Sequence, residues 1–237
     1  MIFGSRGRSK PGLFITGTDT GVGKTYVGAM IVRSLRAAGH RVGVYKPVAS
    51  GCRREGGRWI SDDAVTLWEA AGRPGALAQV CPQCFGAPLA PPVAARQEGR
   101  QVDMDLAREG LDVWRQHSDV VVVEGVGGLM SPLSETELVG DLAAEFGFPL
   151  VIVARNALGT INHILLTLFV ATQWPAPLSV AGVVLNACRD PAGDPSVASN
   201  RQEIEARWQE SVLAEVAWCS QRFEPEVDWF ALATGRR

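Results

Sequence analysis

Residues 13–25 read Leu-Phe-Ile-Thr-Gly-Thr-Asp-Thr-Gly-Val-Gly-Lys-Thr, an apolar run that enters a glycine-rich loop and closes on Gly23-Lys24-Thr25. A loop of small residues lets successive backbone N–H groups converge on a polyphosphate, while the helix behind it offers its positive end. Gly21 and Gly23, on either side of Val22, supply permissive backbone. Lys24 is placed as a point charge on the β and γ phosphates, Thr25 as a hydroxyl for Mg²⁺, and Tyr26 follows in the helix. The spacing departs from the usual loop, which has glycine five residues before the glycine of Gly-Lys-Thr; here Thr18 stands there and Gly17 precedes it. Strand, loop and amphipathic helix come in the order that phosphate binding requires, which a ligand-free glycine turn does not.

The rest of the chain alternates in the same way. Residues 23–38 have apolar Val27, Met30, Ile31 and Leu35 on one helical face and end at Gly39. Strands are predicted at 41–46, 120–123, 149–154, 180–186 and 212–218, and helices at 62–71, 103–116, 160–172 and 196–208. Pro82, Pro88, Pro91 and Pro92 mark an irregular stretch. This order predicts an α/β fold of the P-loop NTPase type, a mostly parallel sheet with helices on both faces and ligand groups collected outside the carboxyl ends of the strands. With 237 residues, 46% of them hydrophobic, one domain over residues 1–237 is expected to bury a large core.

Composition narrows the partners. A net charge of −2 gives no electrostatic footprint for nucleic acid or an anionic membrane. No apolar run is long enough to span a bilayer and the first dozen residues lack a signal-type apolar core, so a cytoplasmic protein is predicted. The five cysteines, Cys52, Cys81, Cys84, Cys188 and Cys219, are an odd and scattered set that reads as reduced thiols.

Twenty of the 23 basic residues are arginine, leaving only Lys10, Lys24 and Lys46 as lysine. Where a cation merely solvates a surface this chain uses arginine, so lysine at 24 and 46 points to a site where a compact ammonium and a planar guanidinium are not interchangeable. Lys46 ends a predicted strand and opens Lys46-Pro47-Val48-Ala49-Ser50-Gly51. Glu124 ends a run of four valines and opens Glu124-Gly125-Val126-Gly127-Gly128, whose glycines allow backbone to approach an anion. A carboxylate at the end of a buried strand is a candidate Mg²⁺ ligand. Asp63, taken alone, reads as a helix-start carboxylate favoured by the macrodipole.

Together, residues 16–25, Tyr-Lys-Pro-Val-Ala-Ser-Gly at 45–51, Ser-Asp-Asp-Ala at 61–64, Glu-Gly-Val-Gly-Gly at 124–128, Pro-Leu-Ser at 132–134 and Gly-Thr-Ile-Asn-His at 159–163 closely resemble the ATP-dependent dethiobiotin synthetases of the biotin pathway. The resemblance covers nearly the whole chain, and that family's longer phosphate loop accounts for Thr18. It implies a homodimer with a shared active site that joins CO₂ to 7,8-diaminononanoate and closes a cyclic urea, with ATP as co-substrate and Mg²⁺ as cofactor. By resemblance, Lys46 and Lys24 are catalytic cations, and Thr25, Asp63 and Glu124 hold metal. Thr18 and Ser50 hydrogen-bond the diamine, and the helix start Gly159, Thr160, Ile161 and Asn162 receives its carboxylate from the second subunit. The nucleotide is expected against residues 21–26, Asp63, Glu124, Gly125, Val126 and Gly127, with the base and ribose near Asn186, Ala187, Ala217, Trp218, Cys219 and Glu224.

Some positions depart from the family pattern. Ala214 and Ala217 replace a glycine and a proline near the base, and Ala90-Pro91-Pro92 stands where Ser-Pro-His is frequent. Two rival functions carry a similar loop. A partitioning-type ATPase switch needs a lysine where this chain has Asp19, and an amidotransferase-type ligase needs a glutaminase domain for which 237 residues leave no room. Cys81-Pro82-Gln83-Cys84 is half of a zinc pattern with no second pair. His163 reads as a structural hydrogen-bonding residue, and His40 and His117 as solvent-facing turn residues.

Overall fold

A computed structural model describes residues 10–190, 192–208 and 212–235. In chain order the elements are β1 (Gly12–Gly17), α1 (Lys24–Ala37), β2 (Val42–Tyr45), β3 (Val48–Ala49), β4 (Arg53–Glu55), β5 (Arg58–Ile60), α2 (Asp62–Ala70), α3 (Leu77–Val80), β6 (Gln83–Cys84) and α4 (Pro91–Gln97). They continue with α5 (Met104–His117), β7 (Val120–Glu124), α6 (Val139–Phe146), β8 (Leu150–Arg155), α7 (Thr160–Gln173), β9 (Val180–Asn186), α8 (Val197–Glu205), β10 (Val212–Val216) and α9 (Trp229–Ala233).

Six strands form one sheet in the order β10-β9-β8-β1-β7-β2, with every neighbouring pair parallel. β1, β2 and β7 are buried along their whole length, as expected for strands covered on both faces, which is why they read as continuous apolar runs rather than alternating ones. The chain leaves β1 toward β2 at one edge, then returns through β7 to β8, β9 and β10. Right-handed crossovers therefore place α1 on one face and α5 to α8 on the other. α2 and α9 pack beside α1.

Register decides what meets at the carboxyl edge. Ile15 lies opposite Glu124, and Tyr45 opposite Val123, so Lys46 leaves β2 level with Glu124. The phosphate loop leaves β1 beside them, at the point where the strand order reverses direction.

The predicted strands and helices of the main sheet all form, most with ends one or two residues different; the helix expected over 196–208 ends at Glu205 and the strand over 212–218 at Val216. The proline-rich stretch is irregular only as far as Ala90. Pro91 and Pro92 then occupy the first positions of α4, where a missing N–H costs nothing because no intrahelical partner exists there. The short elements α3, α9, the β3–β6 ribbon and the β4–β5 hairpin were not foreseen, nor was α6, although Val139, Leu142, Ala143 and Phe146 keep a helical spacing over its two turns.

Candidate active site

Gly23 caps α1 in the left-handed conformation, with φ 90°, and Gly21 turns the loop before it at φ 73°. A Cβ at Gly23 would lie 2.1 Å from Asn186 Nδ2, so both backbone and space demand glycine there. Asn186, at the end of β9, donates its amide N–H to the Val22 carbonyl at 3.0 Å. The Cys188 sulfur lies 3.2 Å from the same oxygen. The loop is thus held in shape from β9, a support for Val22 that the sequence did not reveal.

Behind the loop lies a connected set of charges. The Lys46 ammonium, 3% exposed, sits 2.7 Å from Glu124 Oε1 and 3.1 Å from Asp63 Oδ2. Thr25 donates its hydroxyl to the same Glu124 oxygen at 2.9 Å. Asp63 belongs to the first turn of α2, which Ser61 caps by accepting the Ala64 N–H, and the Asp63 carboxylate reaches Lys46 while half exposed. Burial works against the charge on Lys46, but Glu124 and then Asp63 outweigh it and hold the ammonium above its ordinary pKa. Asp63 is the converse: burial opposes its charge, Lys46 overrides that, and the carboxyl is held below its usual range. Lys24 differs. Its ammonium donates to the Asp19 carbonyl at 3.0 Å, and burial, aided by repulsion from Lys46, lowers its pKa despite the pull of Glu124. The remaining lysine, Lys10, donates to the Ser118 carbonyl at 2.8 Å, far from this cluster.

These groups line a cleft of about 720 Å³. Of the residues singled out from sequence, Gly21, Gly23, Lys24, Thr25, Tyr26, Lys46, Ser50, Asp63, Glu124, Gly125, Val126 and Gly127 border it. Thr18 borders a second recess of about 440 Å³ that shares Thr20, Ser131 and Pro132 with the first, so the two are neighbours. Thr160 and His163, at the start of α7, meet Thr18 and Asp19 of the same chain around a small hollow. Gly159 caps α7 in the left-handed conformation, and Ile161 and Asn162 lie in its first turn, where N–H groups have no intrahelical partner. Val22, Asn186, Ala187, Ala217, Trp218, Cys219 and Glu224 lie outside the main cleft. The turn after β10 reaches it through the Tyr26 hydroxyl, which donates to the Ser220 carbonyl. Trp218 is exposed there, Cys219 has φ 58°, and the Glu224 backbone pairs with Glu215.

The donor set fits a hard divalent cation. Glu124 Oε2 is buried without a hydrogen-bond partner. With the Thr25 hydroxyl and Asp63 it makes an all-oxygen set of two carboxylates and one alcohol, which leaves positions for water and phosphate oxygens as Mg²⁺ requires. Among the described residues no group of three or more His, Cys, Asp and Glu side chains is arranged to hold a metal ion. The fold brings a third thiol, Cys52, to the pair Cys81 and Cys84; the ribbon that does so consists of two-residue strands with no sequence signature. Of the histidines, His117 is exposed, whereas His40 stacks on Phe230 with ring centroids 3.9 Å apart, a correction to its reading as a free turn residue. Ser131 and Thr20, walls of both recesses, were not foreseen as site residues.

A family model described as an AAA domain matches residues 11–225. The chain is 46% identical to an ATP-dependent dethiobiotin synthetase from Rhodopirellula baltica over 82% of this chain and 79% of that protein. It is 44% identical to one from Anaeromyxobacter dehalogenans over 91% and 92% respectively. Among solved structures it is similar to a ParA family ATPase from Chlorobium tepidum, with a TM-score of 0.52, 13% identity, and 97% and 98% of the two chains covered. At that identity the likeness is one of fold alone. No helix of the described residues is long and apolar enough to cross a membrane.

Proposed function

The chain belongs to the ATP-dependent dethiobiotin synthetase family, and from that premise we propose that it carboxylates 7,8-diaminononanoate with CO₂ and closes the product to a cyclic urea. At the coarser level it is an ATP-dependent ligase of biotin biosynthesis. The observation that carries the finer reading is the buried ammonium of Lys46 between Glu124 and Asp63 on the wall of the cleft that the phosphate loop enters.

One substrate amine adds to CO₂, loses a proton and becomes a carbamate. A carbamate oxygen then attacks the γ-phosphorus of ATP and ADP departs, giving a carbamic-phosphoric anhydride. The second amine attacks the carbonyl carbon, the bond to phosphate breaks, and the ring closes. Carbamate and γ-phosphate repel each other, so the first requirement is fixed positive charge between them in a site that excludes water. Lys46 supplies it, kept charged by its two carboxylates. Lys24, whose burial without a close carboxylate favours loss of its proton, gains most when phosphates arrive as its counter-ions. Thr25, Asp63 and Glu124 would hold Mg²⁺, which when bound neutralises phosphate charge. Ser50 in the main cleft and Thr18 in the adjoining recess hydrogen-bond the diamine.

The substrate carboxylate, several carbons away, is received by the first turn of α7 from a second copy of the chain. Support for a dimer comes from exposed Leu166 and Phe169 on α7, with exposed Met130 sharing a recess with Leu166, apolar surface of the kind that marks an interface. Incubation of the pure protein with diamine, bicarbonate, Mg²⁺ and each common nucleoside triphosphate, followed by mass spectrometry, tests the reaction. Formation of the cyclic urea is expected, with ATP effective; its absence with every nucleotide overturns the assignment. A monomeric mass in solution overturns the shared site.

A further inference from the structure

The CxxC segment has a position that the reaction does not explain. The sulfurs of Cys81 and Cys84 lie 3.5 Å apart, and Cys52 joins them, its N–H donating to the Phe85 carbonyl at 3.0 Å. Cys81 and Cys52 are buried, whereas Cys84 is partly open to solvent. The trio lies against both segments that hold the Lys46 cluster. On one side Lys46 donates its N–H to Val80 at 2.8 Å, next to Cys81, and Cys84 in β6 pairs with Ala49 in β3. On the other, the Cys84 sulfur lies beside the backbone of Ser61, the cap of the helix that carries Asp63. Arg100 donates to the Cys84 carbonyl at 3.3 Å.

We propose that Cys84 and Cys81 are an oxidant-sensitive dithiol, and that closing them into a disulfide shuts the enzyme down by displacing the Lys46 and Asp63 segments. The proposal rests on the roles given to those two residues above. The neighbouring Cys52 and Cys81 thiols, the Ser61 backbone and the Arg100 charge favour the Cys84 thiolate over its burial, and a thiolate is the form that reacts. Hydrogen peroxide is the oxidant. The Cys84 thiolate gives an electron pair to the peroxide, whose O–O bond breaks; the sulfur becomes sulfenic acid and the departing hydroxide takes a proton as water. The Cys81 thiol then attacks that sulfur, an S–S bond forms, the S–O bond breaks, and a second water leaves. Two thiols are oxidised and one peroxide is reduced.

The consequence follows from distance. A disulfide brings the sulfurs to about 2.0 Å, so one of them must travel on the order of 1.5 Å from the present separation. Cys81 is buried, whereas Cys84 is partly open and therefore the freer to move, and its strand is paired with Ala49 in the segment that follows Lys46. A shift of an ångström at a positioning segment lowers turnover by about 10²-fold.

The test treats reduced protein with hydrogen peroxide, blocks free thiols with N-ethylmaleimide, and maps the digest by mass spectrometry beside the turnover assay. Expected are a fragment carrying both Cys81 and Cys84, lighter by two hydrogens and unalkylated, a parallel loss of turnover, and recovery with dithiothreitol. Cys84→Ser and Cys81→Ser are expected to keep turnover in reductant and to resist peroxide, with Cys81→Ala as the second variant where the buried hydroxyl is not tolerated. Cys188→Ser, beside the phosphate loop, is expected to stay sensitive. A disulfide that leaves turnover unchanged, a bond from Cys84 to Cys52 alone, or equal inactivation of Cys84→Ser overturns the switch. The thiol map is read without turnover, so a reduced enzyme that makes no cyclic urea identifies the functional reading as the part that failed.

Discussion

Replacing Lys46 by arginine keeps the charge and changes only its shape, which makes it the sharpest probe of the charge cluster. The ammonium is a single point 2.7 Å from Glu124 and 3.1 Å from Asp63, in a position that is 3% exposed. A guanidinium is planar and larger, and it spreads its charge over a fork that cannot occupy one point between two carboxylates. Overfilling so closed a position costs about 1–3 kcal/mol of stability. Glu124 remains paired, so the fold survives, but the donor aimed at carbamate and γ-phosphate is displaced. Misplacing one preorganised donor lowers kcat by about 10²–10³. Lys46→Met gives the contrast, because it leaves the buried Glu124 carboxylate without its counter-ion and costs about 3–5 kcal/mol. That is a large part of the 5–15 kcal/mol, roughly, that holds such a domain together. Denaturant melts and cyclic-urea formation at saturating substrates distinguish the two variants. Wild-type turnover in Lys46→Arg would refute the point-charge argument, and wild-type stability in Lys46→Met would refute the dependence of Glu124 on its partner.

Glu124→Gln is expected to keep the fold and shift the Mg²⁺ titration of activity to higher concentration, since an amide offers oxygen without charge; unchanged curves would reassign Glu124 to structure. Gly23→Ala meets Asn186 Nδ2 at 2.1 Å with φ at 90°, so the loop must reshape at a cost of about 1–2 kcal/mol for the backbone alone. Fluorescent-nucleotide titration should show weakened binding with an unchanged circular dichroism spectrum, and an unchanged Kd would contradict that. Asp119 accepts the Arg41 N–H at 2.9 Å and its guanidinium at 2.7 Å, which hold its pKa down at about 2. A carboxyl depressed in the folded state stabilises above its unfolded pKa of about 3.9 and loses that contribution as pH falls toward 2. Asp119→Asn should therefore flatten the acid limb of stability between about pH 4 and 2; denaturant melts across that range that match wild type would count against the pair.

The phosphate loop and the central strands were legible because each rests on a constraint that no other residue satisfies. Four valines in β7 are buried on both faces, and Gly23 alone fits its backbone angle beside Asn186. Lys46 and Glu124 were legible individually, since one follows a strand and the other ends one at the same edge, whereas Asp63 by itself read only as a carboxylate in the first turn of a helix. Their contact through one ammonium required the register that sets Tyr45 beside Val123. Cys52 was invisible for the opposite reason. Only a two-residue ribbon carries it to Cys81 and Cys84, and such strands have no period to read.

The base end illustrates where sequence pattern and geometry part. Asn186 stands where a strand ends, the position from which a side chain reads a nucleotide edge, yet it is 4% exposed and its N–H is committed to Val22. The same residue blocks any side chain at Gly23. Its first demonstrable work is therefore to set the phosphate loop, and that work would be needed whatever base is bound. On the proposed function, discrimination among bases is left to the turn after β10, where Trp218 is exposed and Tyr26 ties Ser220 to the main cleft. β10 is the edge strand of the sheet, pairing with β9 along one side and, through Glu215 alone, with Glu224 on the other. Ala214, buried within β10, and exposed Ala217, just after it, leave the pairing with β9 intact while removing the residues by which a pattern would be recognised. The phosphate end is the reverse: there, loop, lysine and carboxylate constrain one another within about 3 Å, and the chemistry cannot survive drift in any one of them.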